Sequence, residues 1–355
     1  LRSLFILKCL KSKITWLYIL SGGFVLSTAL LGLFISSVQV PVTTILHIIS
    51  DNTIGFGWLE QIPKNEEMII WNIRLPRVLL GFCVGASLAL AGAAFQGLLR
   101  NPLADPYTIG VSSGASLGAV FVIFFQFSII GLGNFTLPVV AIISGFLTLF
   151  LVFGLVKLSS RNLAIETIIL AGIIVSSFIG AIVSLIISLS DRDSMTQIIY
   201  WLYGSVGMRN WTHVQLIVPF MVLGSLILFF NHRELNALAL GEDAADHIGV
   251  DVRKRKIFIL IGASLLTGAA VAVSGSIGFV GLVIPHLIRL ITGPNHRHVL
   301  PLSMLVGGAF LILADLVSRT IIAPKELPIG VITALIGAPV FALLLIRERL
   351  GRRGS

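Results

Sequence analysis

Ten apolar stretches follow one another along almost the whole chain, and their length decides the class of fold. They cover approximately residues 14–37, 78–99, 107–127, 137–157, 164–189, 211–231, 257–274, 279–291, 299–318 and 327–346. A helix takes about 20 mostly apolar residues to cross the hydrocarbon core of a bilayer. Lipid offers no partner to an unpaired peptide group, so each crossing segment must close its own hydrogen bonds. Only 12% of the 355 residues are charged, roughly half the share of about 25% found in soluble domains. The pattern predicts an all-α membrane protein of about ten transmembrane helices, in a single domain over residues 1–355. The stretch at 279–291 is short and carries Pro285, so it is expected to be tilted, broken or only partly spanning.

A formal charge of +9 would point to nucleic acid in a soluble chain. Here the basic residues flank apolar stretches, which is how cytoplasmic loops are marked, and no nucleic-acid partner is expected. With the N-terminus inside, 18 of the 25 Lys and Arg fall on the cytoplasmic side. Seven fall outside: Lys64, Arg74, Arg77, Arg192, Arg209, Arg319 and Lys325. This bias predicts that both termini are cytoplasmic. Arg2, Lys8, Lys11 and Lys13 precede the first apolar run as in a signal peptide, yet no small-residue cleavage site closes that run. It is expected to be a first membrane helix, with the chain's start at Leu1 altered or trimmed. Cys9 and Cys83 show no metal or disulfide spacing and read as packing residues.

Three connecting stretches stand out. The outer segment 38–77 holds most of the acidic residues of the first half. In a second outer segment, 190–210, residues 195–204 have the spacing of a short interfacial helix. The cytoplasmic loop 232–256 contains a helical tract at 234–250, closed by Gly249 and followed by a basic run. An offset of 183 residues pairs Gly85 with Gly268, Ala86 with Ala269, Ala89 with Ala272, Gly92 with Gly275, Pro102 with Pro285 and Gly110 with Gly293. The two copies would cross in opposite directions, so an inverted internal repeat is expected, as in many transporters.

Several motifs invite chemistry. Small residues from Gly85 to Gly92 suit close helix packing in lipid. Pro102 and Pro106 mark a tight cytoplasmic turn, from which Asn101 and Leu103 could project into a central pathway. Arg74, Arg77 and Arg319 sit at outer span ends, where arginines act as interface anchors or clamp the carboxylates of a partner. Asp315 lies within a span, four residues before Arg319. Self-neutralisation of that pair is favoured over proton coupling. His286 is expected to bond a neighbour rather than bind a ligand. No catalytic residue, cofactor or metal site is expected, because no lysine lies in a nucleotide-binding loop and no Cys/His cluster has metal spacing.

These motifs, in fixed order from Arg74 to Ile346, closely resemble the permease family of ABC importers for iron–siderophores, haem and cobalamin. The resemblance rests on Arg74-Leu-Pro-Arg77, Gln96 through Gly110, Trp201-Leu-Tyr-Gly-Ser205, Leu240-Gly-Glu-Asp-Ala-Ala245, Gly275 through His286, Ala314-Asp315 with Arg319, Glu326-Leu-Pro-Ile-Gly330 and Gly337-Ala-Pro-Val340. It implies a multi-pass subunit of the bacterial cytoplasmic membrane, paired with a second permease copy or homologue. Its other partners would be two cytoplasmic ATPase subunits and an extracytoplasmic substrate-binding (lipo)protein. Ferric siderophore is the expected cargo, moved by alternating access, with haem or cobalamin as alternatives.

The resemblance also assigns residues. Leu240, Gly241, Glu242, Asp243, Ala244, Ala245 and Gly249, in the 235–250 region, would couple to the ATPase. Arg74, Arg77 and Arg319 would meet acidic residues of the binding protein. Asn101 and Leu103 would form one part of an inner gate and Ile165 and Glu166 the other, although small hydroxylated residues would be expected at the latter two positions. An ion-coupled secondary transporter is the weaker alternative. An intramembrane enzyme is disfavoured, since no paired acids or nucleophile–base couple appears in the spans.

Overall fold

A computed structural model describes residues 2–36, 38–55, 62–159 and 164–353, without the side chains of 2–12. Leu1 and Arg161 lie outside the described residues, as do the side chains of Arg2, Lys8, Cys9, Lys11, Arg347, Arg349, Arg352 and Arg353. Among the described residues every regular element is helical. In chain order they are α1 Arg2–Phe34, α2 Val42–Ile54, α3 Lys64–Glu67, α4 Leu75–Leu98, α5 Val111–Phe124, α6 Thr136–Ser159, α7 Ile165–Leu189 and α8 Arg192–Leu202. The second half comprises α9 Trp211–Phe230, α10 His232–Ala239, α11 Glu242–His247, α12 Val252–Ser274, α13 Val280–Thr292, α14 His296–Thr320 and α15 Ile329–Arg353. Seven helical segments are long and apolar enough to cross a membrane, and the apolar parts of α5, α13 and α15 are shorter. Together they match the ten apolar stretches one for one.

The bundle has two ends, and α9 connects them. Helix α8 lies before its start, and α10 and α11 follow its last turn. The helix expected at 195–204 is α8, capped by Asp191, whose side chain accepts from the N–H groups of Asp193 and Ser194.

Helices α4 and α12 are buried along nearly all of their length, whereas α1, α7 and α9 expose most of theirs. The reason lies in side-chain size. A Cβ on Gly85 would overlap the carbonyl oxygen of Gly307, and one on Gly92 would overlap that of Gly281. Helices α14 and α13 therefore rest directly on the α4 backbone, the close approach that small residues permit in lipid.

Two expectations change. A continuous helical stretch begins at Lys64 and reaches Leu98, so it starts well before residue 78. Its Met68–Arg74 portion is a π-helix, whose wider turn fits the missing N–H of Pro76. The offset of 183 residues sets Gly85, Ala86 and Ala89 of α4 against Gly268, Ala269 and Ala272 of α12, both buried helices, but one register does not hold along the whole chain. Gly92 lies well inside α4 while Gly275 caps the end of α12. Pro102 sits in a loop while Pro285 lies inside α13.

The chain between α12 and α13 is irregular, and the eighth stretch itself is the short helix α13 with Pro285 inside it. Phe279 there adopts a positive φ of 69°. Tyr107 serves the exposed backbone: its hydroxyl donates to the Ile277 carbonyl and accepts from the Ile277 N–H, both at 2.8 Å. Non-helical backbone at membrane depth requires such a partner.

Candidate functional sites at the two ends of the bundle

At the α8 end, the C-terminal turn of α1 leaves carbonyl groups without intrahelical donors. Arg74 donates Nη1 to the Leu33 carbonyl at 3.0 Å and Nη2 to that of Val38. Arg319 donates Nη2 to the Gly32 carbonyl at 2.5 Å. Two cations thus cap the negative end of one helix.

Arg77 faces the other way and meets two acids. Its Nε lies 3.0 Å and its Nη2 2.9 Å from the oxygens of Asp315. Its Nη1 and Nη2 reach the two oxygens of Glu326 at 2.8 and 2.9 Å. Asp315 therefore pairs chiefly with a residue on another helix. Arg319, four positions on, stands at 3.8 Å and is only a secondary partner. The expected self-neutralising pair is corrected accordingly, and a fork from Arg77 matches a carboxylate better than a single Nε does.

The three arginines are recessed. Arg74 is 2% and Arg77 9% exposed, so neither is a cation standing free at the mouth of a span. With Glu326, Ser36 and Ile73 they line a cavity of about 280 Å³. Within it Arg74 Nε and Arg319 Nε are buried without a hydrogen-bond partner among the described residues. Three guanidinium groups against two carboxylates leave the cluster one positive charge in excess. Hydrogen bonds from Arg77 hold the Glu326 carboxyl below the usual carboxylate range. Glu326 also borders a second cavity, of about 570 Å³, beside Trp201 and Arg209. Its place in the network was not assigned from sequence; the signal available was an acid isolated between two apolar stretches.

At the opposite end, the 234–250 tract is two helices rather than one. Gly241 separates α10 from α11 with a φ of +126°, and Gly249 ends the unit at +87°, conformations that L side chains rarely adopt. Leu235 and Ala245 are fully buried and fasten the pair to the bundle. Glu242 is tied to Lys256 at 2.5 Å. Asp243, Ala244 and Gly249 are exposed, and Leu240 and Ile248 present 77% and 67% of their surface. Of the seven residues expected to couple, Ala245 is thus an anchor and Glu242 a brace. Two large apolar side chains held outward on a polar knob mark a surface made to be covered.

The two expected parts of the inner gate differ in burial. Asn101 accepts from the Leu103 N–H at 2.9 Å, closing its own turn, and Leu103 is 45% exposed. Ile165 is buried in the main apolar core beside Ile168 and Leu149. Glu166, in the first turn of α7, is exposed, as are Asn101 and Leu103. His286 is buried and stacks edge-on against Phe341 at 6.0 Å.

This arrangement has relatives. The FecCD transport family matches residues 24–347. The chain belongs to the FecCD transport family. The uncharacterised ABC transporter permease protein YvrB of Bacillus subtilis is 52% identical over 95% of each chain. The hemin transport system permease protein HmuU of Yersinia pestis is 43% identical over 85% of this chain and 91% of its own. Other relatives are named for the import of cobalamin and of molybdate. The solved inward-facing structure of an ABC transporter assigned to the metal-chelate type has a TM-score of 0.79 at 37% identity, covering 94% of this chain and 98% of its own. As a FecCD protein the chain is a multi-pass ABC importer permease, and the family is one of transport subunits.

Proposed function

We propose that this chain is the membrane subunit of a binding-protein-dependent importer that moves a ferric siderophore by alternating access. A separate ATPase supplies the energy through α10 and α11. The observation that carries the reading is the outward knob of Leu240 and Ile248 on two short helices fastened through Leu235 and Ala245. Rigid attachment behind and apolar surface in front suit an element that passes motion from a partner into the bundle. A second copy or homologue completes the pathway. Hemin and cobalamin, for which two relatives are named, are like ferric siderophores metal chelates in organic frames, and the solved relative is of the metal-chelate type.

At the other end the binding protein docks by lowering an acidic side chain into the cavity between Arg74 and Arg319. The Arg74 Nε, without a hydrogen bond among the described residues, and the positive excess support this. Arg77 holds the wall in place through Asp315 and Glu326. That engagement speaks against an ion-driven transporter, because Asp315 is already committed to a buried ion pair.

The test is uptake into vesicles holding the permease and its ATPase, with loaded binding protein outside. A ferric siderophore, hemin and cobalamin are supplied in parallel. Uptake that requires ATP, ignores an uncoupler and fails in a folded Leu240→Asp/Ile248→Asp variant is the expected result. Uptake that collapses with the uncoupler and proceeds without ATP refutes the reading. Transport of hemin or cobalamin alone keeps the permease and replaces the cargo.

A further inference from the structure

A cavity of about 400 Å³ opens at the α10 end, between the last turn of α4, α10, α13 and the start of α14. Its polar wall consists of Gln96, Arg100, Asn101, His286, Arg289 and His296, and no Asp or Glu lines it among the described residues. Arg289 donates Nη1 to Gln96 Oε1 at 3.1 Å, but its Nη2 is buried with no partner. His296 is 2% exposed, and its Nδ1 lies 2.8 Å from Asn236 Oδ1, which also accepts the His296 N–H. Its Nε2 packs against the α4 backbone at Gly97 and has no hydrogen-bond partner among the described residues.

Arg100 stands exposed at the mouth, with an unusual positive φ of 49°. Its Nη1 lies 3.7 Å from where a Cβ on Gly241 would sit, at the joint between α10 and α11. Beyond the polar wall, Leu290 is 61% exposed and gives the rim an apolar lip. Two guanidinium forks with no counter-acid among the described residues select a compact anion with several acceptor oxygens.

We propose that this cavity binds a phosphoryl group, from an anionic lipid headgroup or from free phosphate, held between Arg100 and Arg289. Its occupant links α13 and the end of α4 to the α10–α11 joint and stiffens the element on which a cytoplasmic partner would act.

The full-length chain, delipidated in detergent, is offered phosphatidylglycerol, phosphatidylcholine or inorganic phosphate, and bound species are counted by native mass spectrometry. Phosphatidylglycerol is expected to outlast phosphatidylcholine. Arg100→Ala and Arg289→Gln are each expected to weaken its binding about tenfold or more, the usual loss for one charge-assisted hydrogen bond. Arg233→Ala, an exposed basic residue on α10, should leave it unchanged. Competition by inorganic phosphate identifies free phosphate as the source and supports the site equally. Should Arg289→Gln fail to fold, Arg100→Ala decides, since that side chain carries no internal bond. Equal retention of both lipids with no phosphate bound, or equal weakening by Arg233→Ala, overturns the proposal.

Discussion

Arg77 joins α4, α14 and the turn before α15 with one planar group, and each of its two acids does a different job. Asp315 is buried and compensates a cation that lipid would not tolerate alone. Glu326 keeps 46% of its side chain exposed, so its share of the network resembles a surface pair, worth up to about 1 kcal/mol. The folded protein holds the Glu326 carboxyl below its ordinary range through hydrogen bonds from Arg77. Its contribution is therefore fully present above the unfolded value of about 4.3 and is lost as pH falls through the lower folded value. Glu326→Gln is expected to melt below the wild type by a constant margin from neutral pH down to about 4.3, with the margin closing in more acid solution. Thermal melts in detergent across that range check this, and a gap that widens in acid contradicts it. At this scale the arginines were legible and their bearing was not. Their residue type and position gave away a cluster, but the carbonyls of Gly32 and Leu33 that orient Arg319 and Arg74 come from a helix whose sequence shows only apolar residues there.

Among the elements, the α12–α13 break was visible in Gly275, Gly278 and Pro285, whereas its support was not. The hydroxyl that satisfies Ile277 belongs to Tyr107, 170 residues earlier in the chain, and nothing local to either residue announces the other. Tyr107→Phe removes no volume but leaves a buried N–H and a buried carbonyl without a partner. At about 1–3 kcal/mol for each orphaned group, the variant is expected to lose roughly 2–4 kcal/mol of stability. Detergent unfolding against the wild type measures it, and a loss below about 0.5 kcal/mol would mean that water or a backbone shift re-satisfies Ile277. The coupling region shows the reverse kind of failure. Residues 234–250 carry helix formers on both sides of Gly241, so periodicity runs straight through the joint. Only the backbone at +126° reveals that the tract folds back on itself. Small residues made α4 recognisable as a packing helix, and Gly307 of α14, which meets it at Gly85, lies in a small run of its own with Ser303, Gly308 and Ala309.

For the whole molecule, the two ends differ in kind, and function depends on which one faces the cytosol. The α8 end carries the recessed arginine cavity, whereas the α10 end carries the apolar knob and a basic rim. Counting by side puts 18 of the 25 Lys and Arg with the α10 end, and such an excess marks the cytoplasmic face. Helix packing alone cannot say this, because a bundle is as stable inverted. Met208, 98% exposed at the α8 end, and Ile248, 67% exposed at the α10 end, report the two faces directly. Each is changed to Cys in a Cys9→Ser/Cys83→Ala background, and intact cells are treated with a membrane-impermeant thiol reagent. Met208→Cys is expected to label at once, and Ile248→Cys only after the membrane is opened. The inverse pattern would put α10 and α11 outside, out of reach of any nucleotide, and the importer reading would fall with them. Labelling of both sites in intact cells would show leakage, which an internal cytosolic thiol protein included in the assay separates from a true outward face.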